Sequence, residues 1–280
     1  MNTVLTIAGS DSGGGAGIQA DIKTMSAHGI YAMSAITALT AQNTMGVTDI
    51  MEVTPEFLGK ELDAIFTDIY PDAVKLGMLS DVHLMQVTTA KLREYKAKHV
   101  VIDPVMVATS GSRLMKEDAI QFMKDELFPL AEIITPNIPE AECLTKMTIS
   151  GEQDMVDAGI ALYLQVKERK QYLSGEPVNT DIFNEQETAI LVKGGHRIND
   201  ANDILVIKDR VITIRAERID NVNTHGTGCT LSSAIACNLA MEKTIEEAVR
   251  SAKEYLTGAI RSGLNLGKGP GPLNHMWQDR

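Results

Sequence analysis

The chain has few cysteines, no excess of basic side chains and no long apolar run, and each shortage removes a class of protein. Only Cys143, Cys229 and Cys237 stand among 280 residues. Three thiols cannot all pair, and no C-x-x-C spacing offers a metal site. A disulfide-stapled scaffold is set aside and a reducing compartment, the cytoplasm, is expected. Lys and Arg number 26 against 37 Asp and Glu, a formal net charge of −11. That balance opposes nucleic acid as a partner, because phosphate backbones are held by surplus Lys and Arg. No apolar stretch approaches the roughly 20 residues that span a bilayer, and the opening Met1-Asn2-Thr3-Val4 lacks the basic and apolar regions of a signal peptide. None of the six histidines lies in an H-E-x-x-H pair, which speaks against zinc.

What is present is a 44% hydrophobic chain, long enough for one large α/β domain or two ordinary ones. Short apolar runs alternate with amphipathic stretches. Residues 4–8, 32–39, 73–76, 100–102, 132–135 and 189–192 read as strands, and 15–29, 55–68, 81–98 and 245–262 as helices. Continuous rather than alternating apolar strands, separated by helices, imply a mostly parallel sheet covered on both faces. The expectation is an α/β three-layer architecture in one domain over 1–280. Residues 203–208 and 211–215 read as a hairpin near a sheet edge, and the polar stretch 168–187 as a surface excursion.

Four segments carry chemistry. The first, Gly9-Ser10-Asp11-Ser12-Gly13-Gly14-Gly15-Ala16-Gly17, joins a strand to a helix, where glycines admit a ligand to the backbone and a helix N-terminus favours negative charge. It contains G-x-G-x-x-A, but no Asp or Glu lies between Asp21 and Asp49 to bind a ribose, so a dinucleotide fold is excluded; no Gly-Lys-Ser/Thr follows for a Walker A loop. Tight packing is the alternative meaning of the loop, and Asp21 either faces a site or lies exposed. The second, His225-Gly226-Thr227-Gly228-Cys229-Thr230, runs into a helix and offers consecutive N–H groups to an oxyanion. The same field is expected to lower the Cys229 pKa from about 8.5; a small helix-start residue is the alternative. Third, Asn137 and Glu140 in Pro136-Asn137-Ile138-Pro139-Glu140 share the first turn of a helix, where they hold Mg²⁺, directly or through water, or cap the helix. Fourth, Asp103 ends a strand at the sheet edge where α/β ligands bind, and Lys193 follows another strand and reaches for phosphate.

Together with Leu5-Thr6-Ile7-Ala8, Ile36-Thr37-Ala38-Leu39-Thr40-Ala41-Gln42-Asn43-Thr44, Lys75-Leu76-Gly77-Met78-Leu79 and Asp103-Pro104-Val105-Met106, these segments resemble the ribokinase superfamily, in particular its hydroxymethylpyrimidine/phosphomethylpyrimidine kinases of thiamine biosynthesis. The matching stretches run in the family's order along essentially the whole chain. The resemblance implies a ribokinase-like fold and ATP- and Mg²⁺-dependent phosphorylation of 4-amino-5-hydroxymethyl-2-methylpyrimidine and then of its monophosphate. By the same resemblance Gln42, Asp21, Gly9, Met78 and Val105 contact the pyrimidine. Gly226, Thr227, Gly228 and Cys229 form an anion hole, with Cys229 as acceptor of the hydroxyl proton. Lys193, Asn137 and Asp103 serve the phosphates, and Glu140 with Asn137 organises Mg²⁺. A homodimer is expected, with a small-molecule substrate. Ala41-Gln42-Asn43 favours the pyrimidine over pyridoxal, the substrate of the nearest relatives; a phosphate or nucleotide sensor on the same fold is the alternative outside catalysis. Two features depart from the family: Gly13 stands where Ser is usual, and the 168–187 stretch is longer than the usual link.

Overall fold

The computed structural model describes residues 1–79, 81–106, 115–175, 187–195 and 201–279. In chain order its elements are β1 (Thr3–Asp11), α1 (Gly17–Ala27), β2 (Tyr31–Asn43), β3 (Gly46–Glu52), α2 (Pro55–Phe66), β4 (Ala73–Leu76), α3 (Val82–Glu94), β5 (Val100–Ile102), α4 (Glu117–Phe122), β6 (Ile133–Ile134), α5 (Ile138–Thr145), α6 (Glu152–Ser174), β7 (Ala189–Val192), β8 (Asp203–Ile207), β9 (Arg210–Ile214), α7 (Thr227–Ala240) and α8 (Ile245–Ser262). They divide into two compact units, Met1–Asp103 with Ile219–Arg280, and Pro104–Arg218.

In the first unit the strand order is β3-β2-β1-β4-β5. β1 runs parallel to both β2 and β4, and β4 parallel to β5; only β3 is antiparallel. The side chains of β1 from Val4 to Ala8, and all of β4 and β5, are buried, as strands covered on both faces must be. α1 and α7 pack against the sheet and each other, with α8 on α7, while α2 packs on α3 and β2. Because the chain leaves β1 for β2 and later returns to β4 on the other flank, the connections part company at the C-terminal end of β1. Such a switch point opens a crevice outside the strand ends.

The second unit carries β6-β7-β8-β9, with β6 and β7 parallel and β7, β8 and β9 antiparallel. The 203–208/211–215 hairpin is thus present, as β8 and β9. Helix starts follow the capping residues. The Thr54 hydroxyl accepts from Phe57 N–H with Pro55 behind it, Asp81 accepts from His83 and Leu84, and Thr244 and Glu247 form a reciprocal box.

Two expectations change. The stretch 168–187 does not begin as an excursion, because residues 168–174 form the last two turns of α6, which ends at Gly175 in the left-handed region (φ 68°); 176–186 lie outside the described residues. Charged side chains there mark a solvated helix face rather than a loop. β3 was not anticipated, because every one of its residues is exposed and it owes its existence to pairing with β2, not to an apolar pattern of its own.

His275, near the C-terminus, is buried against α7, where the Thr230 hydroxyl meets its Nε2 at 3.0 Å. Burial pushes its pKa down to about 4, with Lys23 acting the same way and a backbone bond at Leu273 opposing. Below pH 6.5 the unfolded chain therefore binds a proton that the folded chain refuses, so stability falls as pH drops from about 6.5 to 4, by about 3 kcal/mol in all. Urea unfolding at pH 7 and pH 4.5 should show a smaller acid loss for His275→Gln than for the wild-type chain; equal losses would contradict this account.

Candidate active site

The C-terminal ends of β1, β2, β4 and β5 and the start of α7 meet within the first unit. At the end of β1 the ladder to β2 slips, Ala8 facing Ile36 but Ser10 facing Leu39. Gly9 lies in that bulge, and a Cβ there would stand 2.6 Å from the Met78 Cε, so the backbone and the Met78 side chain touch as a glycine alone permits. The glycine loop beyond is closed on itself. Asp11 Oδ1 accepts from Gly13 N–H at 2.8 Å, and Oδ2 from Gly15 at 3.1 Å and Ala16 at 2.9 Å. Its Oδ2 also meets His225 Nε2 at 2.9 Å. Burial favours the neutral acid, but the His225 bond and the Gly13 and Ala16 N–H groups outweigh it and hold Asp11 below the usual carboxylate range. The donors that the sequence offers to a ligand's phosphate are therefore taken by a carboxylate of the chain itself, and the loop serves mainly as a tight-packing turn.

His225 ties this loop to α7 and to Gln42. Gln42 Nε2 lies 3.4 Å from His225 Nε2, and its Oε1 accepts from the Thr40 hydroxyl at 3.0 Å. Gly226 takes φ 87°, and a Cβ on it would stand 1.9 Å from Gly15 O, so the two glycine segments press backbone to backbone. In the first turn of α7, Thr227 N–H returns to Thr224 O and Thr230 N–H to Gly226 O. The N–H groups of Gly228 and Cys229 find no acceptor among the described residues, which is the orphan pair a helix start leaves for an anion.

The ionisation of Cys229 differs from the sequence expectation. The residue is half-buried, and burial pushes its thiol up to about 11; Lys75 pulls against this, Asp21 and Asp103 push with it, and the Gly17 N–H pulls it back. Enclosure beside two carboxylates outweighs the helix field, so the resting side chain is the neutral thiol.

Beneath this turn lies a group that the sequence reading missed. Lys75, in the middle of β4, is fully buried and donates to Asp21 Oδ1 at 3.0 Å and Oδ2 at 2.8 Å. Thr6 donates to the same carboxylate at 2.6 Å and Ser233 at 2.7 Å. Burial alone would push the Lys75 ammonium down, but Asp21, Cys229 and Asp103 together hold it well above the usual lysine range. Asp21 is thus neither exposed nor turned to a substrate. With no exposed surface and four hydrogen bonds from three side chains, it anchors a cation. A lysine inside the fully apolar run Ala-Val-Lys-Leu was the signal, because such a charge requires a buried carboxylate. Asp103, also buried, closes the cluster at the end of β5, its N–H bonded to Leu76 O at 2.9 Å.

The remaining expected residues belong to the second unit. Val105 is half-buried just past β5. Asn137 and Glu140 form a reciprocal capping box at the start of α5: Glu140 N–H bonds Asn137 Oδ1 at 2.9 Å, and Asn137 N–H bonds Glu140 Oε2 at 2.8 Å. Lys193 pairs with Asn137 across a parallel bridge, its N–H on Pro136 O at 2.8 Å, so these three come together. With one oxygen of each side chain engaged in the cap, and no group of three acidic, His or Cys side chains placed to hold a metal among the described residues, the donor set does not fit a resident Mg²⁺ held by protein alone.

Comparison with known proteins gives the family. The family model described as phosphomethylpyrimidine kinase matches residues 11–169 and 165–274. The chain is 46% identical to the thiamine biosynthesis bifunctional protein ThiED of Geobacter sulfurreducens, over 98% of this chain and 52% of that one, so it spans about half that relative's length. It is 43% identical to the hydroxymethylpyrimidine/phosphomethylpyrimidine kinase of Rhizobium meliloti over 98% of both chains. Its fold is similar to that of Bacillus subtilis pyridoxal kinase, solved as an ADP complex, with a TM-score of 0.85 and 31% identity over 100% of this chain and 99% of the other. By family model and by full-length identity alike, the chain belongs to the phosphomethylpyrimidine kinase family, an α/β kinase group of ribokinase-like fold.

Proposed function

We propose that the protein transfers the γ-phosphoryl group of ATP to the hydroxymethyl oxygen of 4-amino-5-hydroxymethyl-2-methylpyrimidine, and then phosphorylates the monophosphate. The observation that carries this is the first turn of α7, where two N–H groups without acceptors among the described residues adjoin a thiol. The family and the kinases it resembles supply the reaction class. Gln42, Gly9, Met78 and Val105 contact the pyrimidine; the Gln42 carboxamide both donates and accepts, as an aminopyrimidine edge requires. Gly226, Thr227, Gly228 and Cys229 line the anion hole, and their N–H dipoles meet the charge that develops on the transferring group. Lys193, Asn137 and Asp103 serve the phosphates. ATP would enter as its magnesium complex, the ion offsetting phosphate charge, and Glu140 and Asn137 are the residues that would meet the water around it.

In the transfer the substrate O–H proton passes to Cys229 Sγ, the oxygen forms its bond to the γ-phosphorus, and the bond to the ADP oxygen breaks. With a thiol near 11, about one molecule in ten thousand holds the thiolate at pH 7. Cys229 therefore first releases its own proton to solvent, from the small thiolate population or after binding has lowered the thiol, and only the thiolate then takes the substrate proton as the new P–O bond forms. We further propose that the two units work as one kinase domain, that the protein is cytoplasmic, in keeping with its free thiols, and that it forms a homodimer, in keeping with the exposed Val47, Ile50 and Met51 of β3. Among the described residues no helix is long and apolar enough to cross a membrane. Phosphorylation of pyridoxal is a second activity favoured by the likeness to a pyridoxal kinase.

Parallel kinetics with the hydroxymethylpyrimidine, its monophosphate and pyridoxal test the assignment; no turnover of the first two would reject it. Cys229→Ala should lower kcat by about 10²–10⁴-fold, the usual worth of a positioned base, with little change in substrate affinity. Unchanged turnover would remove the base. The wild-type kcat/KM should climb about tenfold per pH unit from pH 7 to 9, as a base with a high free-enzyme pKa dictates, and a flat profile would contradict it. Gln42→Ala should chiefly raise the pyrimidine KM; a pure kcat effect would count against the contact.

A further inference from the structure

The cation under α7 has a use beyond holding the fold. We infer that Lys75 is a positioning residue for the proposed proton transfer: anchored on Asp21 beneath the first turn of α7, its ammonium governs how readily Cys229 becomes a thiolate. This rests on reading Cys229 as the proton acceptor, but it is tested on the thiol itself.

The geometry is specific. Ser233 follows Cys229 by four residues, on the same face of α7, and its hydroxyl donates to Asp21 Oδ1 at 2.7 Å. The Lys75–Asp21 pair therefore lies directly under the turn that carries the thiol. An ammonium has three donors, and Asp21 is the acceptor that the bonds of Lys75 reach, at 2.8 and 3.0 Å. Gly77 keeps room beside the Nζ, since a Cβ there would stand 2.7 Å from it. Lys75, Cys229 and Asp103 interact electrostatically in this enclosed space. A charge at this depth is screened little by water or salt.

Charged side chains approach the first turn of α7 from several elements. Lys75 faces it from β4, Asp21 from α1, and Asp103 from the end of β5, while Gly17 at the start of α1 donates its N–H. β1 contributes the neutral Thr6 hydroxyl, on Asp21, and the Asp11 carboxylate, which is engaged with His225 and the N–H groups of Gly13, Gly15 and Ala16. His275 lies against Thr230 and stays neutral above about pH 4; Tyr255 of α8 is engaged with His275 O. Lys75 is thus the cation among the groups that act on the thiol.

The test is the pH profile of Cys229 alkylation by iodoacetamide in the whole chain, read by peptide mass spectrometry with Cys143 as an internal standard. Lys75→Gln should move the midpoint up by about one pH unit or more, slowing alkylation about tenfold at a fixed pH below it. Lys75→Arg should return the rate to within about threefold of wild type if a cation at this place is what matters. Asp21→Asn keeps an acceptor for Lys75 while removing the competing negative charge, so it should move the midpoint down. If Lys75→Gln does not fold, the double variant Asp21→Asn/Lys75→Gln, which leaves no unpaired charge, is compared with Asp21→Asn: a higher midpoint in the double variant supports the inference, and equal midpoints overturn it. An unmoved profile in folded Lys75→Gln overturns it as well. A kinase in which Cys229→Ala retains full turnover would remove the base reading while leaving the thiol titration intact, so the two failures are told apart.

Discussion

A lysine and an aspartate taken wholly out of water hold the centre of the first unit. Each alone would cost several kcal/mol to bury, and together they are tolerable only with near-complete hydrogen bonding. The chain meets that demand from four directions: Lys75 on β4, Asp21 on α1, Thr6 on β1 and Ser233 on α7. Those four elements cannot shift separately without stranding a charge. The start of α7 is consequently fixed against the strand ends, which is where the proposed mechanism places the transferring phosphoryl group.

A second carboxylate does the same for the loops above. Asp11 gathers the N–H groups of Gly13, Gly15 and Ala16 and the ring of His225, and the Gly15–Gly226 backbone contact leaves no room for a side chain. In a protein of net charge −11, fixed local sources can supply positive potential at the proposed site: the N–H groups of Gly228 and Cys229, which have no acceptor among the described residues, and the buried Lys75. Neither needs a basic surface. The neutral resting thiol follows from the same enclosure, because desolvation acts on every charge brought near that turn.

Much of this was legible beforehand for stated reasons. β4, β5 and β7 read directly from sequence because buried parallel strands are continuous apolar runs, and α2 because its apolar residues recur on one helical face. β3 was not legible, since its seven residues are all exposed and only pairing with β2 makes them a strand. The tail of α6 was mistaken for an excursion because a solvated helix face and a polar loop share a composition. At the site, the glycine and His-Gly-Thr-Gly-Cys segments announced themselves, whereas Lys75 did not, because its partner lies 54 residues away in sequence.

The sequence by itself determined the fold class, the family and the list of chemically capable residues, since those follow from local patterns and from motifs in a fixed order. Only the tertiary structure decided what the capable residues are doing. It turned Asp21 inward to a lysine and closed Asp11 over the glycine loop. It engaged Asn137 and Glu140 in a cap and raised a thiol that a helix start alone would have acidified. Each of these depends on which distant groups share an enclosed volume, and therefore on desolvation and pairing, which no stretch of sequence specifies alone.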